Sequence, residues 1–288
     1  MFRDSFSSLE QMKTFVPQKV YGRKMKDADG RYNILINDKL LFHDLMSFYD
    51  IPTTSRYFKY SHNVFMSNGR VISGTDVDVI LAGITDNRIF VKRSQTGEAS
   101  GVFVARRQSD GGYYFDDTKL SSASIKELFG GDEIFVEKEI LQDDSTRRYH
   151  PASCNTFRVL TYNNRVISAC FRMGRGASFV DNYSKGGLVA NIDIETGKLS
   201  DYAVAGYDYK YYFEHPDTGI SFKDTVLPQW TTAKDLVERV CKVLPYYKSV
   251  GFDIACTKHG PVVVEINTGA EIIVNQMCVA KGLSDKIC

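Results

Sequence analysis

Polar and apolar positions switch between helical and strand spacing in the first half of the chain, then settle into strand spacing in the second. Asp38 stands where a cap would precede Leu40, Leu41, Leu45 and Phe48, an amphipathic helical spacing that Ile51-Pro52 ends. Short strands are predicted over 57–60 and 63–66, with a turn at Asn68-Gly69, and a helix over 76–81. A strand over 88–92 leads through a small-residue loop at 94–101 into a second strand over 102–106. Gly111-Gly112 reads as a turn, and 121–129 as a helix that Gly130-Gly131 stops. A strand over 133–140 and a polar loop over 142–152 follow. Beyond this, 155–162, 165–173 and 188–194 read as strands, with turns at Asn163-Asn164 and 195–197. Residues 200–230 read as irregular, with a tight turn at His215-Pro-Asp-Thr-Gly219. Thr232 is placed to cap a helix through Leu236, Val240 and Leu244. The pattern is α+β with antiparallel hairpins, divided into 1–85, 86–140 and 141–288 by a composition break near 130–140.

The last hairpin concentrates the chemistry. Two apolar runs flank Lys258-His259-Gly260, read as a three-residue loop with glycine where φ must be positive. In that register Thr257 faces Pro261, and counting outward sets Asp253 against Glu265, with Asn267 on the same face. Val262, Val264 and Ile266 supply the opposite, buried face. Two directly opposed carboxylates repel unless a cation lies between them, and hard oxygens on a rigid sheet suit Mg²⁺. The plain alternative is an acidic, solvated sheet face.

Earlier segments offer weaker candidates. Lys92 ends an apolar strand before a loop containing Ser94 and Gly97, a combination able to meet phosphate, although it is not the spacing of a P-loop and a solvated strand-end lysine is the commoner case. The 133–140 strand is either a hinge beside a nucleotide base or a charged edge strand. Arg158 and Arg172 lie on the two strands of one hairpin. A two-residue loop at Asn163-Asn164 puts them on opposite faces, and one bulge would bring them together. Each reads equally as an anion site or as half of a salt bridge, with Asp181 or Glu137 as partner. His215 reads as a turn device, and Cys154 has no histidine spacing to make it a nucleophile.

Composition removes several classes. The 288 residues are 43% hydrophobic and 25% charged, ordinary for a globular protein. A net charge of +1 gives no general field toward nucleic acid or membranes. No apolar run approaches a membrane span, and the first residues hold no continuous apolar signal core. Six scattered cysteines without a CxxC pair are expected to be reduced thiols in a cytoplasmic protein.

Taken in order, Phe90-Val-Lys92, Phe135-Val-Glu137-Lys-Glu-Ile140, Asn155-Thr-Phe-Arg158-Val, Phe171-Arg172-Met-Gly174, Asp181-Asn182 with Gly186-Gly187, His215–Gly219, Gly251-Phe-Asp253-Ile-Ala and Gly260-Pro-Val-Val-Val-Glu265-Ile-Asn267 resemble the ATP-grasp superfamily, and within it the sugar-transfer-associated branch. The resemblance covers roughly 38–275. It implies two α+β subdomains clasping ATP. It implies that Lys92 meets the α- and β-phosphates, that the loop with Ser94 and Gly97 closes over them, and that Glu137, Lys138, Glu139 and Ile140 frame the adenine. Asp253, Glu265 and Asn267 would hold Mg²⁺, Arg158 and Arg172 would act on the transferred phosphoryl, and Asn182 would add a polar contact. The implied reaction is ADP-forming ligation of a carboxylate, such as a sugar or nucleotide-sugar acid, to an amine through an acylphosphate. Phosphoryl transfer without an amine and non-catalytic nucleotide binding are the alternatives. The hinge pair Lys138-Glu139 and the short stretch after Asn267 depart from the common pattern, so a partner protomer, as in a homodimer, is one way to complete the substrate wall.

Overall fold

In the computed structural model the described residues are 8–26, 30–94, 101–205, 210–279 and 281–287. They form two compact units. One comprises Met1–Asn37, Leu45–Pro52 and Leu141–Cys288, and the other Asp38–Asp44 and Thr53–Ile140. The chain opens with helices α1 (Leu9–Thr14), α2 (Gln18–Lys26), α3 (Ile34–Asn37) and α4 (Lys39–Phe48). Asp38 caps α4 as expected, accepting from the amides of Leu40 and Leu41. The inward residues of α4 are Leu40, Phe42, His43 and Met46, while Leu41 and Phe48 are exposed, so the apolar stripe expected there is displaced.

The smaller unit is an antiparallel sheet of β1 (Arg56–Ser61), β2 (Val64–Ser67), β3 (Arg70–Ile72), β4 (Arg88–Arg93), β5 (Val102–Arg107), β6 (Tyr113–Phe115), β7 (Thr118–Lys119) and β8 (Ile134–Lys138), with helices α5 (Gly74–Gly83) and α6 (Ser122–Phe129). Its strand order is β3-β2-β1-β8-β4-β5-β6-β7. Strand β8 is central, not an edge, and Ile134, Phe135, Val136 and Glu137 are all buried. Serines cap both helices in capping boxes, and Gly130 ends α6 at φ +52°. Val77, Leu81, Ile125 and Phe129 pack on Phe58, Ile89, Val91 and Val136.

The larger unit holds α7 (Asp144–Arg147), β9 (Thr156–Tyr162), β10 (Arg165–Met173), β11 (Leu188–Ile192), β12 (Leu199–Ala205), β13 (Tyr211–Tyr212), α8 (Trp230–Val243), β14 (Ser249–Thr257), β15 (Gly260–Thr268), α9 (Ile273–Val279) and α10 (Ser284–Ile287). Its sheet runs β13-β12-β11-β10-β9-β14-β15, antiparallel throughout. Three expectations are corrected. Residues 200–230 are not wholly irregular, since they contain most of β12 and all of β13. The polar loop contains a helical turn that Asp143 caps through the Ser145 amide. Helix α8 begins at Trp230, which buries against Phe157 at 6.0 Å, so Thr232 sits inside the first turn and its hydroxyl donates to Gln229 O.

One sheet face carries Phe157 and Phe171, with Trp230 of α8 against Phe157 and Tyr149 against Phe171. On the other, Leu160 and Ile167 pack with Val16, Tyr21, Met25, Ile272 and Leu283. Farther along, Cys170, Val189 and Val204 pack with Val274 and Cys278 of α9. Among the described residues no helix is long and apolar enough to cross a membrane, and cysteines 154, 170, 241, 256 and 278 are free thiols.

Candidate functional site

Two bulges decide which side chains share a face. The Asn163-Asn164 turn has two residues, both at positive φ, and Arg165 pairs with Tyr162. One extra residue, Ile167, then shifts the ladder, so that Arg158 pairs with Cys170 and Arg172 with Thr156. Both arginines therefore project from one face. In the last hairpin Gly260 has φ +109°, but the ladder starts one residue closer than expected, Thr257 pairing with Gly260. A bulge at Val264 takes up the difference, and Asp253 is still opposite Glu265. The bulge also changes the inward residues, which are Val263 and Ile266, with Val262 and Val264 only half-buried. Asp253 pairs on its other side with Arg158. Arg158, Asp253 and Glu265 thus form one row across three strands, with Arg172 and Asn267 one step away on the same face.

Charges alternate along this face. Arg158 grips Asp253 with two bonds, Nε to Oδ1 at 2.6 Å and Nη2 to Oδ2 at 3.0 Å. Arg172 donates to Asp253 Oδ1 at 3.1 Å, and its Nη2 donates to Asp181 Oδ1 and to Asn182 Oδ1, each at 2.6 Å. Asp181 also accepts from the amide and hydroxyl of Thr156. Burial works against ionisation of Asp253, whose side chain is 9% exposed, but Arg158 and Arg172 outweigh it and hold the carboxyl below its ordinary range. Burial also opposes charge on Arg172, and Asp181 and Asp253 overcome it, keeping the guanidinium firmly charged. Asp181 is pushed up, because burial and the Asp253 charge together exceed the pull of Arg172. Arg172 Nε is buried and has no partner among the described residues. An orphaned charged donor of this kind is costly unless an anion meets it.

Two glycines make room for the network. A Cβ on Gly251 would lie 2.5 Å from Ala270 Cβ, so the bare backbone lets Ala270 pack against β14 beside Arg158, whose Cδ would be in ordinary contact at 3.5 Å. A Cβ on Gly187 would meet Asp181 O at 2.5 Å and Met173 O at 2.9 Å, where the chain returns beside Arg172.

The smaller unit carries its own group. Lys92 and Glu137 share a face as diagonal neighbours of β4 and β8. Lys92 Nζ lies 2.6 Å from Glu137 Oε2, and the lysine is only 16% exposed rather than solvated. Glu137 Oε1 meets His43 Nε2 at 3.2 Å and accepts from Thr54. Burial would raise the Glu137 carboxyl, yet Lys92 and His43 bring it down to about 2. Ser94 donates to Asp38 Oδ1 at 2.7 Å. Glu139 pairs with Arg88 at 2.6 Å, Lys138 is exposed with its ammonium over the Tyr57 ring, and Ile140 is half-buried. Gly97 lies outside the described residues, as does Cys288. His43, Thr54 and Thr156 were not foreseen. A histidine on a helix, or a threonine beside a strand, gives no sequence sign of the carboxylate it will meet.

Among the described residues no group of three or more histidine, cysteine or acidic side chains is arranged to hold a metal. The Asp253, Glu265 and Asn267 set consists of hard oxygens on one face, which fits Mg²⁺ in chemistry, with Asp253 shared with the arginines. The two guanidinia are balanced by Asp181 and Asp253, so a bound polyphosphate would bring net negative charge that a divalent cation offsets.

The model of the family described as "sugar-transfer associated ATP-grasp" matches residues 21–288. No curated protein matches. Among solved structures, D-alanine–D-alanine ligase from Bacillus anthracis is 13% identical, with a TM-score of 0.45 over 87% of this chain and 61% of that one. Biotin carboxylase from Campylobacter jejuni is also 13% identical, with a TM-score of 0.49 over 84% of this chain and 43% of the other. The RimK domain ATP-grasp protein from Sphaerobacter thermophilus is 11% identical, with a TM-score of 0.45 over 93% and 77%. The chain thus spans about three-fifths of the alanine ligase and less than half of the carboxylase. At these identities the likeness is one of fold alone.

Proposed function

This chain belongs to the sugar-transfer associated ATP-grasp family, and on that premise we propose that it is an ADP-forming ligase that joins a carboxylate to an amine through an acylphosphate. The observation that carries the reading is Arg172: a buried, charged guanidinium whose Nε has no partner, on the sheet face that also bears Arg158, Glu265 and Asn267. Such a donor is prepared for an anion that the described residues do not supply to Nε.

In this reading Lys92 neutralises the α- and β-phosphates, with Ser94 and Gly97 in the adjoining loop. The backbone and side chains of 137–140 frame the base. Asp253, Glu265 and Asn267 hold Mg²⁺, which when bound neutralises phosphate oxygens. Arg158 and Arg172 face the phosphoryl group in transfer, and Asn182 keeps Arg172 aimed. A substrate carboxylate oxygen attacks the γ-phosphorus and ADP leaves, giving an acylphosphate. An amine then attacks the acyl carbon, phosphate departs, and the nitrogen loses a proton. Positioning and charge stabilisation suffice for both steps, so no serine or cysteine nucleophile is required. The acid proposed is a sugar or nucleotide-sugar carboxylate, in keeping with the family's description.

The test is a screen of sugar acids and amines for ADP release, followed by the mass of the product. ADP release that requires both, with product mass equal to the sum of the substrates less water, is expected, as is its loss in Glu265→Gln. A product heavier than the acceptor by one phosphoryl group, formed without amine, identifies phosphoryl transfer instead.

A further inference from the structure

Three segments of the larger unit meet around two buried imidazoles, His150 and His215, stacked with ring centroids 5.7 Å apart. His150 Nε2 faces the carbonyl of Gly176 at 3.0 Å, so that nitrogen must carry a proton. Its Nδ1 lies 2.8 Å from Ser153 Oγ. The same hydroxyl lies 2.7 Å from Asn155 Oδ1 and accepts the Gly174 amide at 3.1 Å. The Asn155 side chain cannot be turned over. Its Nδ2 donates to Thr146 O at 3.0 Å and His150 O at 3.1 Å, which leaves Oδ1 as the acceptor toward Ser153.

A serine hydroxyl has one proton to give. If it goes to Asn155, Nδ1 of His150 must also be N–H, and the ring is an imidazolium. If it goes to His150, Ser153 Oγ and Asn155 Oδ1 stand 2.7 Å apart, buried, with no proton between them. The Gly174 amide, which also reaches Asn155 Oδ1 at 3.3 Å, does not relieve that contact. The first arrangement satisfies every atom, and a counter-ion is present: Asp217 Oδ2 is 3.7 Å from His150 Nε2.

His215 is the neutral partner. Its Nε2 faces Gly174 O at 2.9 Å and so donates, and its Nδ1 accepts the Asp217 amide at 3.3 Å. Burial lowers its proton affinity, with the neighbouring His150 and Arg175 adding to the effect against Gly174 O and Asp217. Asp217 and Arg175 are the charged groups around the pair, the latter tied to the Tyr212 hydroxyl.

These side chains grip both ends of one turn. Ser153 holds the Gly174 amide, His215 its carbonyl, Asp217 the Gly176 amide at 2.6 Å, and His150 the Gly176 carbonyl. The chain enters this turn two residues after Arg172 and returns with Asp181 and Asn182, both of which bind Arg172 Nη2. We propose that His150 is held as an imidazolium and that, with His215 and Asp217, it is a positioning group for Arg172. A neutral ring there would set a lone pair against Gly176 O or leave Ser153 over-committed, and the turn would loosen. The functional weight of this device rests on the proposed role of Arg172, but its chemistry does not.

The experiment is nitrogen-resolved NMR of the full chain labelled at histidine and arginine. The Arg172 Nε–H signal is assigned by its loss in Arg172→Lys, and that of His150 by its loss in His150→Gln. At neutral pH both His150 nitrogens should appear protonated, and the Arg172 Nε–H signal should move in His150→Gln and in Asp217→Asn. A bare ring nitrogen on His150 in the native chain at neutral pH, or an Arg172 signal that neither variant moves, overturns the proposal. Neither outcome depends on finding substrates, so failure here and failure of the ligase reading remain distinct.

Discussion

Glu137 offers the sharpest physical test of the smaller unit. Its carboxylate is 1% exposed and held by Lys92, His43 and Thr54. Burial alone would raise it, but Lys92 and the hydrogen-bonded His43 bring it from an ordinary 4.5 to about 2. That is a factor of about 300 in proton affinity, or about 3 kcal/mol at roughly 1.4 kcal/mol per tenfold. The folded chain binds this proton less tightly than the unfolded one. The stabilisation is therefore complete above about pH 5 and disappears as pH falls from 4.5 through about 2. Urea unfolding followed by far-ultraviolet circular dichroism, at steps from pH 6 to pH 2, measures it. Other carboxylates titrate in the same window, so the quantity to read is the gap between the native chain and Glu137→Gln. At pH 6 the variant leaves the largely buried Lys92 without its Glu137 counter-charge, and a gap of about 3–5 kcal/mol is expected. The gap should shrink by about 3 kcal/mol toward pH 2. A gap that stays constant across the range would refute the reasoning, because Glu137 would then contribute through packing and not as a buried anion.

Other outcomes follow from the larger unit. Asp253→Asn removes a carboxylate from the half-buried Arg158 and leaves the buried Arg172 with Asp181 as its remaining carboxylate, and should cost about 3–5 kcal/mol, seen as a fall of about 10 °C in Tm. A loss under about 1 kcal/mol would show that the Arg158 and Arg172 bonds act as an exposed pair would. Gly187→Ala puts a methyl against the backbone carbonyls of Asp181 and Met173 and should cost about 1–3 kcal/mol in urea unfolding, whereas Gly83→Ala, at the end of α5 with nothing within 4 Å, should be neutral or slightly stabilising. A thiol-reactive chromogen on the native chain should label Cys154 among the five described cysteines. The other four are buried, and burial pushes the Cys241 thiol up to about 11 and Cys256 higher still.

What could be read from the chain alone follows a physical divide. Local signals held: Asp38 as a cap, Gly130 as a stop, Asn163-Asn164 as a two-residue turn and Gly260 at positive φ. Each depends on one or two residues and their own backbone. Strands β12 and β13 were missed, because Leu199 to Ala205 carries a serine, an exposed aspartate and two alanines, and becomes a strand by pairing with β11. The inward face of α4 was misplaced for a similar reason: His43 is drawn in by Glu137, a residue 94 positions away that no helical periodicity reports.

The opposition of Asp253 and Glu265 was anticipated, but through two departures that cancel. The ladder begins at Gly260 and not at Pro261, and Val264 bulges out to restore the count. In the preceding hairpin Ile167 does the same, and without it Arg172 would stand on the face that Phe157 and Trp230 occupy. Both bulges therefore do one job, turning a residue with chemistry onto the face where Arg158 and Asp253 meet. Bulges of this kind cost ladder hydrogen bonds and are kept where they re-aim a side chain. Deleting Val264 tests the point, since the shortened β15 must either slip, sending Glu265 and Asn267 to the α8 side, or open its turn to keep them. On the proposed ligase reading, a deletion variant that folds with native stability and depends on Glu265 for ADP release would show that the turn, and not the bulge, sets the site. Loss of that dependence in a folded chain would tie the chemistry to the single inserted residue.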